Sequence, residues 1–226
     1  MEYKEDWNSF YYKATVSDAI YLVKTHLPPR DHQPAIYIVR DGRSATDSYA
    51  AYHQSFQPDP KGIATIRQLM LGDDYYGNWS SHYSKWQQRD ESSRLLIRFE
   101  ELVEPRVELV NKIAKFIGHQ GKVKPFVNLM NDTHQKNPAF FRQGKITWQQ
   151  PSHWSEIDEA VFIVLHQEIL LSLQYVDIKE IQDANALIDQ NYLSFLTLAV
   201  QGFDQRNFWL HQAEAKEHVI QQLFKK

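Results

Sequence analysis

A short apolar run that ends on an arginine is the segment of this sequence best suited to carry chemistry. Residues 35–39 predict a buried parallel strand, Arg40 follows at its carboxyl end, and Gly42 permits a tight turn. The helix predicted after the turn carries Ser44, first of all an N-cap candidate, and Ser48. The unpaired N–H groups of a helix start attract anions, and a guanidinium strengthens that attraction. The segment therefore predicts a phosphate-binding site.

Lys24 and His26 form a second candidate site just upstream. The two residues lie two positions apart, so a strand would place both side chains on one face. A neutral imidazole near pH 7 can accept a proton from a hydroxyl group, and an ammonium group can stabilise negative charge on oxygen. The alternatives are a structural histidine and a solvated lysine.

These two segments resemble the sulfotransferase family that uses 3′-phosphoadenosine 5′-phosphosulfate (PAPS). In that family a K-T-H-L-P sequence precedes a strand of the type Y-I-x-R-N-P-K-D-x-x-V-S-Y. Here K-T-H-L-P spans residues 24–28, and the strand segment spans residues 35–49. The resemblance implies roles for four residues: a catalytic base (His26), a residue beside it (Lys24) and ligands of the 3′-phosphate (Arg40 and Ser48).

The resemblance continues along the chain in the family's order. Residues 77–86 resemble the family's G-x-W-x-x-H-x-x-x-W helix, and residues 95–102 resemble its L-x-x-x-Y-E-D-L strand end. Residues 106–118 resemble the amphipathic helix that follows. Residues 140–148 resemble the F-x-R-K-G-x-x-G-D-W loop that closes on the nucleotide. A series of motifs in the family's order is harder to match by chance than any single motif. Three departures are a turn of Asp-Gly-Arg at 41–43, where Asn-Pro-Lys is common, Gln143 in place of lysine, and Thr147 where the family has Gly-Asp before the tryptophan.

The same resemblance implies the remaining nucleotide ligands. Phe99 stands where the family usually has a tyrosine beside the adenine, and it keeps the apolar wall without the hydroxyl. Phe126 is similar to the family's adenine-stacking phenylalanine, with core packing as the alternative. Arg142 and Gly144 match the second contact with the 3′-phosphate.

A phosphosulfate-binding loop of the family has no counterpart in this sequence. Family members begin with a strand and then a loop of the type Y-P-K-S-G-T-T-W, which wraps the 5′-phosphosulfate and supplies a lysine to the bridging oxygen. Nothing before Tyr21 resembles that loop, and residues 1–13 contain no glycine and no proline from which to build a phosphate nest. We expect a truncated chain, a loop supplied by another chain, or a lost activity. The isolated chain is then expected to be a poor sulfotransferase.

Composition excludes several classes of function. The 226 residues carry a net charge of −3, so no basic field favours nucleic acid. The lack of cysteine excludes disulfides, thiolate catalysis and cysteine-ligated metals, and the histidines have neither H-x-x-x-H nor H-E-x-x-H spacing, so we expect no metal. No apolar run approaches the roughly 20 residues of a membrane span, and no signal peptide is recognisable. We expect a cytoplasmic protein.

Alternating strand and helix patterns predict an α/β fold. The predicted strands are residues 35–39 and 95–98, and the predicted helices are residues 43–56, 63–71, 79–89, 106–117, 125–131 and 156–173. The alternation favours a parallel sheet with helical crossovers. The resemblance specifies this as the P-loop-NTPase-like sulfotransferase fold. Ligands then bind at the carboxyl ends of the strands, where His26 and Arg40 are expected.

Two domains are predicted: an N-terminally incomplete sulfotransferase-like domain at residues 1–176 and a helical C-terminal extension at residues 177–226. The aromatic residues of the extension predict a helical hairpin packed on the core or on another subunit. Exposed sheet edges also favour a homo-oligomer. Three aromatic residues share one face of a predicted helix, which favours core packing for them (Trp79, His82 and Trp86).

The leading functional hypothesis is transfer of a sulfuryl group from PAPS to the hydroxyl or amine of a small-molecule or glycan acceptor. The reaction is an in-line displacement that depends on positioning and charge stabilisation. The alternative is a catalytically impaired member of the family that binds a nucleotide or acts as a subunit. A P-loop kinase shares the architecture, but its G-x-x-x-x-G-K-[ST] sequence is absent.

Overall fold

The computed structural model describes residues 16–17, 21–29, 32–56, 62–103, 106–127, 130–138 and 146–223. Its elements follow in chain order: β1 (Ala35–Val39), α1 (Gly42–Phe56), α2 (Ile66–Leu71), α3 (Trp79–Gln87), a 3₁₀ turn (Glu91–Ser93), β2 (Arg94–Arg98), α4 (Phe99–Val103), α5 (Val107–Phe116), α6 (Met130–Lys136), α7 (Glu156–Ser172), α8 (Ile178–Leu187) and α9 (Gln190–Leu223). The predicted α/β class is confirmed, with a larger share of helix than of strand in the described chain.

β1 and β2 form a parallel pair, and both predicted strands are confirmed. The register places Val39 opposite Arg98. Val39 and Ile97 are each 1% exposed, because helices cover the sheet. The chain passes from β1 to β2 through α1, α2 and α3. The register therefore brings the next residue of each strand, Arg40 and Phe99, to the same edge of the sheet.

The start of α1 is fixed by Asp41. One oxygen of its carboxylate (Oδ1) accepts a hydrogen bond from the backbone N–H of Arg43 at 2.9 Å, as an N-cap does. Ser44 lies inside the first turn and is buried. The prediction of Ser44 as the N-cap is therefore wrong, because an acidic residue two positions before the expected helix start caps it instead.

Gly42 lets α1 pack against the aromatic core. A Cβ atom at this position would lie 2.6 Å from the Trp79 ring and 2.8 Å from the Phe162 ring. Phe162 and Leu170, both on α7, are completely buried in the main hydrophobic cluster. A larger residue at position 42 would push away α1 and, with it, the neighbouring Arg40.

Capping boxes fix the starts of three helices, α2, α7 and α8. The Ser155 hydroxyl accepts a hydrogen bond from the N–H of Asp158, and the Asp158 carboxylate accepts one from the N–H of Ser155, just before α7. Thr65 and Gln68 are paired in the same way. This second box explains why α2 begins at Ile66 rather than at the predicted residue 63.

The C-terminal extension is helical and packs on the main hydrophobic cluster. Ala184 of α8 and Leu196 of α9 are buried members of that cluster. Asn207 of α9 is 1% exposed. Its side-chain amide donates hydrogen bonds to the backbone oxygens of Gly72 at 3.1 Å and Asp74 at 2.9 Å. The loop after α2 is therefore held by the extension, while the division at residue 176 stays a prediction.

The predicted helix at residues 125–131 and the expected position of His26 at a strand end are both wrong. Residues 122–127 are irregular and the helix in this region is Met130–Lys136, so the helix predicted at residues 125–131 does not begin at Pro125. Residues 21–26 form neither strand nor helix, and all of them are exposed, so burial of apolar surface does not favour a strand there. His26 therefore does not lie at the carboxyl end of a strand.

Candidate functional site

Arg40 and Phe99 meet at the edge of the sheet where both strands end. The guanidinium carbon of Arg40 lies 4.9 Å from the centre of the Phe99 ring, within the range of a cation–π contact. Both residues are partly buried. A cation beside an aromatic ring at this edge is suited to a ligand that carries both an anionic group and an aromatic base.

The other predicted nucleotide ligands differ in burial, and two of them lie outside the described residues. Ser48 lies on α1, partly buried and one helical turn after the buried Ser44, so both share a face of that helix. Phe126 lies in an irregular stretch and is 50% exposed, so it does not pack in the core. Arg142 and Gly144 lie outside the described residues. Their contacts with a nucleotide stay predictions.

His26 and Lys24 lie together on an exposed, irregular segment. The His26 ring lies 6.0 Å from the Tyr76 ring, edge to face. Partial desolvation and, second, the Lys24 ammonium lower the pKa of His26 below its usual value. The imidazole is therefore neutral near pH 7, which is the form that can accept a proton.

A hydrogen-bond chain links His26 to the sheet through His82 of α3. Nε2 of His82 lies 3.0 Å from the backbone oxygen of His26, and a carbonyl only accepts, so Nε2 carries the proton. Nδ1 of His82 then accepts from the Tyr37 hydroxyl at 3.0 Å. Burial lowers the pKa of His82 and raises that of Tyr37. Both groups stay neutral, which preserves this arrangement.

Sequence reasoning missed the role of His82. The shared helical face predicts core packing for three residues, and this holds for two of them: Trp86 is 8% exposed, and the Trp79 ring lies 6.3 Å from that of Phe162. His82 instead makes two polar contacts that the sequence separates by more than 40 positions. The sequence feature that indicates a role for His82 is its position as the histidine of the segment resembling the family's G-x-W-x-x-H pattern.

Arg43, in the turn that departs from the family's sequence, is buried in a polar network. It is 3% exposed, and its guanidinium forms hydrogen bonds with both carboxylate oxygens of Asp41 at 2.8 and 3.1 Å. It also donates to Glu159 at 3.2 Å and to the backbone oxygen of Tyr175 at 2.8 Å. The Trp148 indole N–H donates to the same Glu159 oxygen at 2.7 Å. The network therefore fixes the start of α1 against α7.

Neither a metal-binding cluster nor a membrane-crossing helix is found among the described residues. Within the described residues, no group of three or more His, Asp or Glu side chains is arranged to hold a metal ion. Among the helices of that same part of the chain, none has the length and apolar character needed to cross a membrane.

Comparison with known proteins places the chain in a family. A protein-family model described as “Sulfotransferase domain” matches residues 7–162. The chain belongs to the sulfotransferase family. It is 26% identical to sulfotransferase 4A1 of Mus musculus over 126 residues, which cover 50% of this chain and 44% of that protein. It is 31% identical to sulfotransferase 1B1 of Canis lupus familiaris over 110 residues, or 42% of this chain and 36% of that protein.

A solved structure shares the fold. The crystal structure of mouse sulfotransferase SULT7A1 complexed with PAP matches with a TM-score of 0.50 and 20% sequence identity, covering 62% of this chain and 58% of that chain. The predicted sulfotransferase fold is therefore confirmed. The matched part of the present chain spans less than half the length of the curated relatives, sulfotransferases 4A1 and 1B1.

Proposed function

We propose that this chain serves PAPS-dependent sulfuryl transfer and that Arg40 binds the 3′-phosphate of the nucleotide. The contact between Arg40 and Phe99 carries the proposal, because it joins a cation and an aromatic surface at the carboxyl ends of two parallel strands. Family membership supports the donor, as does the PAP complex of the structural neighbour. The remaining proposed nucleotide ligands are Ser48, Phe126, Arg142 and Gly144.

His26 is proposed as the base that acts on the acceptor. When bound, PAPS supplies an activated sulfuryl group. The neutral His26 ring takes the proton of the acceptor hydroxyl or amine as its oxygen or nitrogen bonds to sulfur, and the bond from sulfur to the phosphate oxygen breaks. Lys24 adds positive charge beside His26, where it can stabilise the oxygens of the transferring group. The exposure of both residues leaves room for a small-molecule or glycan acceptor.

Calorimetric titration with adenosine 3′,5′-bisphosphate and with AMP tests the phosphate site. We expect tighter binding of the bisphosphate. A charge-assisted hydrogen bond contributes about 1.5–3 kcal/mol, so Arg40→Ala should weaken bisphosphate binding by roughly 10- to 100-fold and AMP binding much less. Arg106→Ala removes an exposed arginine before α5 and serves as the matched control. Equal affinity for the two nucleotides would remove Arg40 from the proposal.

A catalytically impaired, nucleotide-binding member of the family is the second candidate. The irregular, exposed segment that carries His26 favours it, because a catalytic base needs a fixed position. Transfer of radiolabelled sulfate to phenols, sugars and amines by the pure chain separates the two. Nucleotide binding without transfer would support the second candidate, whereas rapid transfer would support the first.

A further inference from the structure

The α2–α3 loop (residues 72–78) is held from one side by the last helix, α9. The side-chain amide of Asn207 is buried and donates both of its N–H groups to this loop, to the backbone oxygens of Gly72 at 3.1 Å and Asp74 at 2.9 Å. The amide oxygen accepts hydrogen bonds from Arg206 at 3.1 and 3.3 Å. Reversing the amide would turn its oxygen toward two carbonyl oxygens, so the network determines which atom donates. Both donors of Asn207 are therefore committed to the loop.

Two further contacts from α9 reach the same region. Nε2 of His211 donates a hydrogen bond to the backbone oxygen of Tyr75 at 2.9 Å, and the two rings lie 4.7 Å apart. Asp204 accepts a hydrogen bond from the Ser81 hydroxyl at 2.6 Å, in the first turn of α3. These polar contacts lie along the second half of α9 and surround the α2–α3 loop.

Asp74 connects the held loop to two tyrosines. Its carboxylate accepts a hydrogen bond from the Tyr49 hydroxyl at 3.2 Å and another from the backbone N–H of Tyr76 at 3.1 Å. The Tyr76 ring lies edge to face with the Tyr49 ring, with 6.2 Å between their centres. The backbone and the carboxylate of Asp74 therefore determine together where the Tyr76 ring lies.

The Tyr76 ring contacts the ring of His26. Their centres are 6.0 Å apart in an edge-to-face arrangement, within the range of an aromatic contact. The hydrogen bond from His82 holds the backbone oxygen of His26 but leaves the side-chain torsions of that residue free. A contact with the ring itself is needed to orient the imidazole, and Tyr76 supplies one.

We propose that α9 positions the His26 ring, with Asn207 and His211 as positioning residues that act through the α2–α3 loop and Tyr76. The inference rests on the proposed function, in which His26 is the base. A reacting group misplaced by about 1 Å can lose about 100-fold in rate, so residues that touch no reacting atom still affect the reaction. Both residues lie beyond residue 162, where the match to the family model ends, so that match does not account for these contacts.

Nuclear magnetic resonance of the full chain tests this positioning without requiring activity. We expect Overhauser contacts between the His26 and Tyr76 rings in the wild type. Asn207→Ala removes both donors, so it should abolish these contacts and raise the pKa of His26 toward its ordinary value of 6.5, because the ring becomes more solvated.

Leu196→Ala is the matched control on the same helix. Leu196 is buried in the main hydrophobic cluster and lies three turns before Asn207, about 16 Å along α9. Its loss should lower the thermal unfolding midpoint and leave the ring contacts and the pKa of His26 unchanged. Equal changes of the His26 signals in Leu196→Ala and Asn207→Ala would show a general loss of stability and overturn the proposal.

His211→Phe is a milder variant that decides the question if Asn207→Ala does not fold. It keeps a ring beside Tyr75 but removes the hydrogen bond to the Tyr75 backbone oxygen. The contacts between His26 and Tyr76 should weaken, and the pKa of His26 should rise by a smaller amount than in Asn207→Ala. Unchanged ring contacts in the folded Asn207→Ala variant, or in His211→Phe where only that variant folds, would overturn the proposal.

Transfer of radiolabelled sulfate separates a failure of this inference from a failure of the proposed function. In an active chain, Asn207→Ala should lower kcat about 10- to 100-fold and keep the affinity for adenosine 3′,5′-bisphosphate within twofold, whereas Leu196→Ala should keep both. Parallel losses of kcat and nucleotide affinity in Asn207→Ala would overturn the inference. A wild-type chain without transfer would contradict the proposed function alone, and the ring contacts of His26 would still decide whether α9 positions it.

Discussion

His26 depends on His82 for its position in this structure. The irregular segment that carries His26 has no strand to hold it, and the hydrogen bond from His82 Nε2 to the His26 backbone oxygen supplies a fixed contact. Tyr37, anchored in β1, sets the orientation of the His82 ring. His82 is therefore a positioning residue, and its loss should be detectable in the titration of His26.

Replacing His82 tests this dependence. His82→Phe keeps a ring but removes both hydrogen bonds, so the segment should move into solvent. We expect the pKa of His26 to rise back toward about 6.5, the value of an unperturbed histidine. His82→Gln retains a donor that can reach the carbonyl, and it should keep the lowered pKa. NMR titration of the His26 ring measures both, and an unchanged pKa in His82→Phe would show that His82 does not position His26.

His26 itself is expected to affect rate rather than nucleotide binding. If the chain transfers sulfuryl groups, His26→Ala should lower the rate by about 10²- to 10⁴-fold, the usual cost of removing a general base. Its affinity for the bisphosphate should stay within a factor of two of wild type, because the base acts on the acceptor. His32→Ala, in the same exposed part of the chain, is the control. Normal turnover by His26→Ala would remove this residue from the mechanism.

At the scale of elements, Arg43 determines how α1 meets α7. The guanidinium is almost completely buried and neutralises Asp41 and Glu159, so its loss leaves buried carboxylates without a cation. Breaking a buried ion pair by removing one partner costs about 3–5 kcal/mol. Arg43→Met should therefore lower the free energy of unfolding, measured by urea denaturation, by about that amount.

An exposed ion pair provides the matched comparison. Arg67 pairs with Asp158 of α7 at 2.6 Å, but its side chain is 72% exposed. Surface pairs contribute at most about 1 kcal/mol. Arg67→Met should therefore change the stability by less than 1 kcal/mol, although it removes the same charge. Losses of equal size in the two variants would contradict a structural role for the Arg43 network.

The sequence predicts elements better than the contacts between them. The apolar run at residues 35–39 predicts a strand from neighbouring residues alone, and β1 forms there with Arg40 at its carboxyl end. The network of Arg43 could not be predicted, because Glu159 and Tyr175 lie more than 100 positions away along the chain. The sequence predicts a strand end at His26, but a strand needs a partner strand, and K-T-H-L-P by itself does not specify one.

At the scale of the whole molecule, one titratable group lies inside the main hydrophobic cluster. His166 of α7 is 3% exposed, and its ring centre lies 4.3 Å from that of Phe162. Its Nδ1 atom is 2.6 Å from the Ser80 hydroxyl of α3. Burial lowers the pKa of His166 to about 3. The folded protein therefore keeps this ring neutral at pH values where the unfolded chain protonates it.

The stability of the whole fold should consequently fall in mild acid. The contribution of His166 is fully present above the unfolded pKa of about 6.5 and decreases below it, because only the unfolded state then gains the proton. Between pH 7 and pH 5 this amounts to about 2 kcal/mol of unfolding free energy.

His166→Gln cannot be protonated, so its stability should decrease less over that range. Ser80→Ala is the control: it should be less stable at every pH and keep the wild-type slope, because burial rather than Ser80 sets the titration of His166. Urea denaturation at pH 7, 6 and 5 measures the slopes, and identical slopes for His166→Gln and wild type would show that His166 is not buried as a neutral ring.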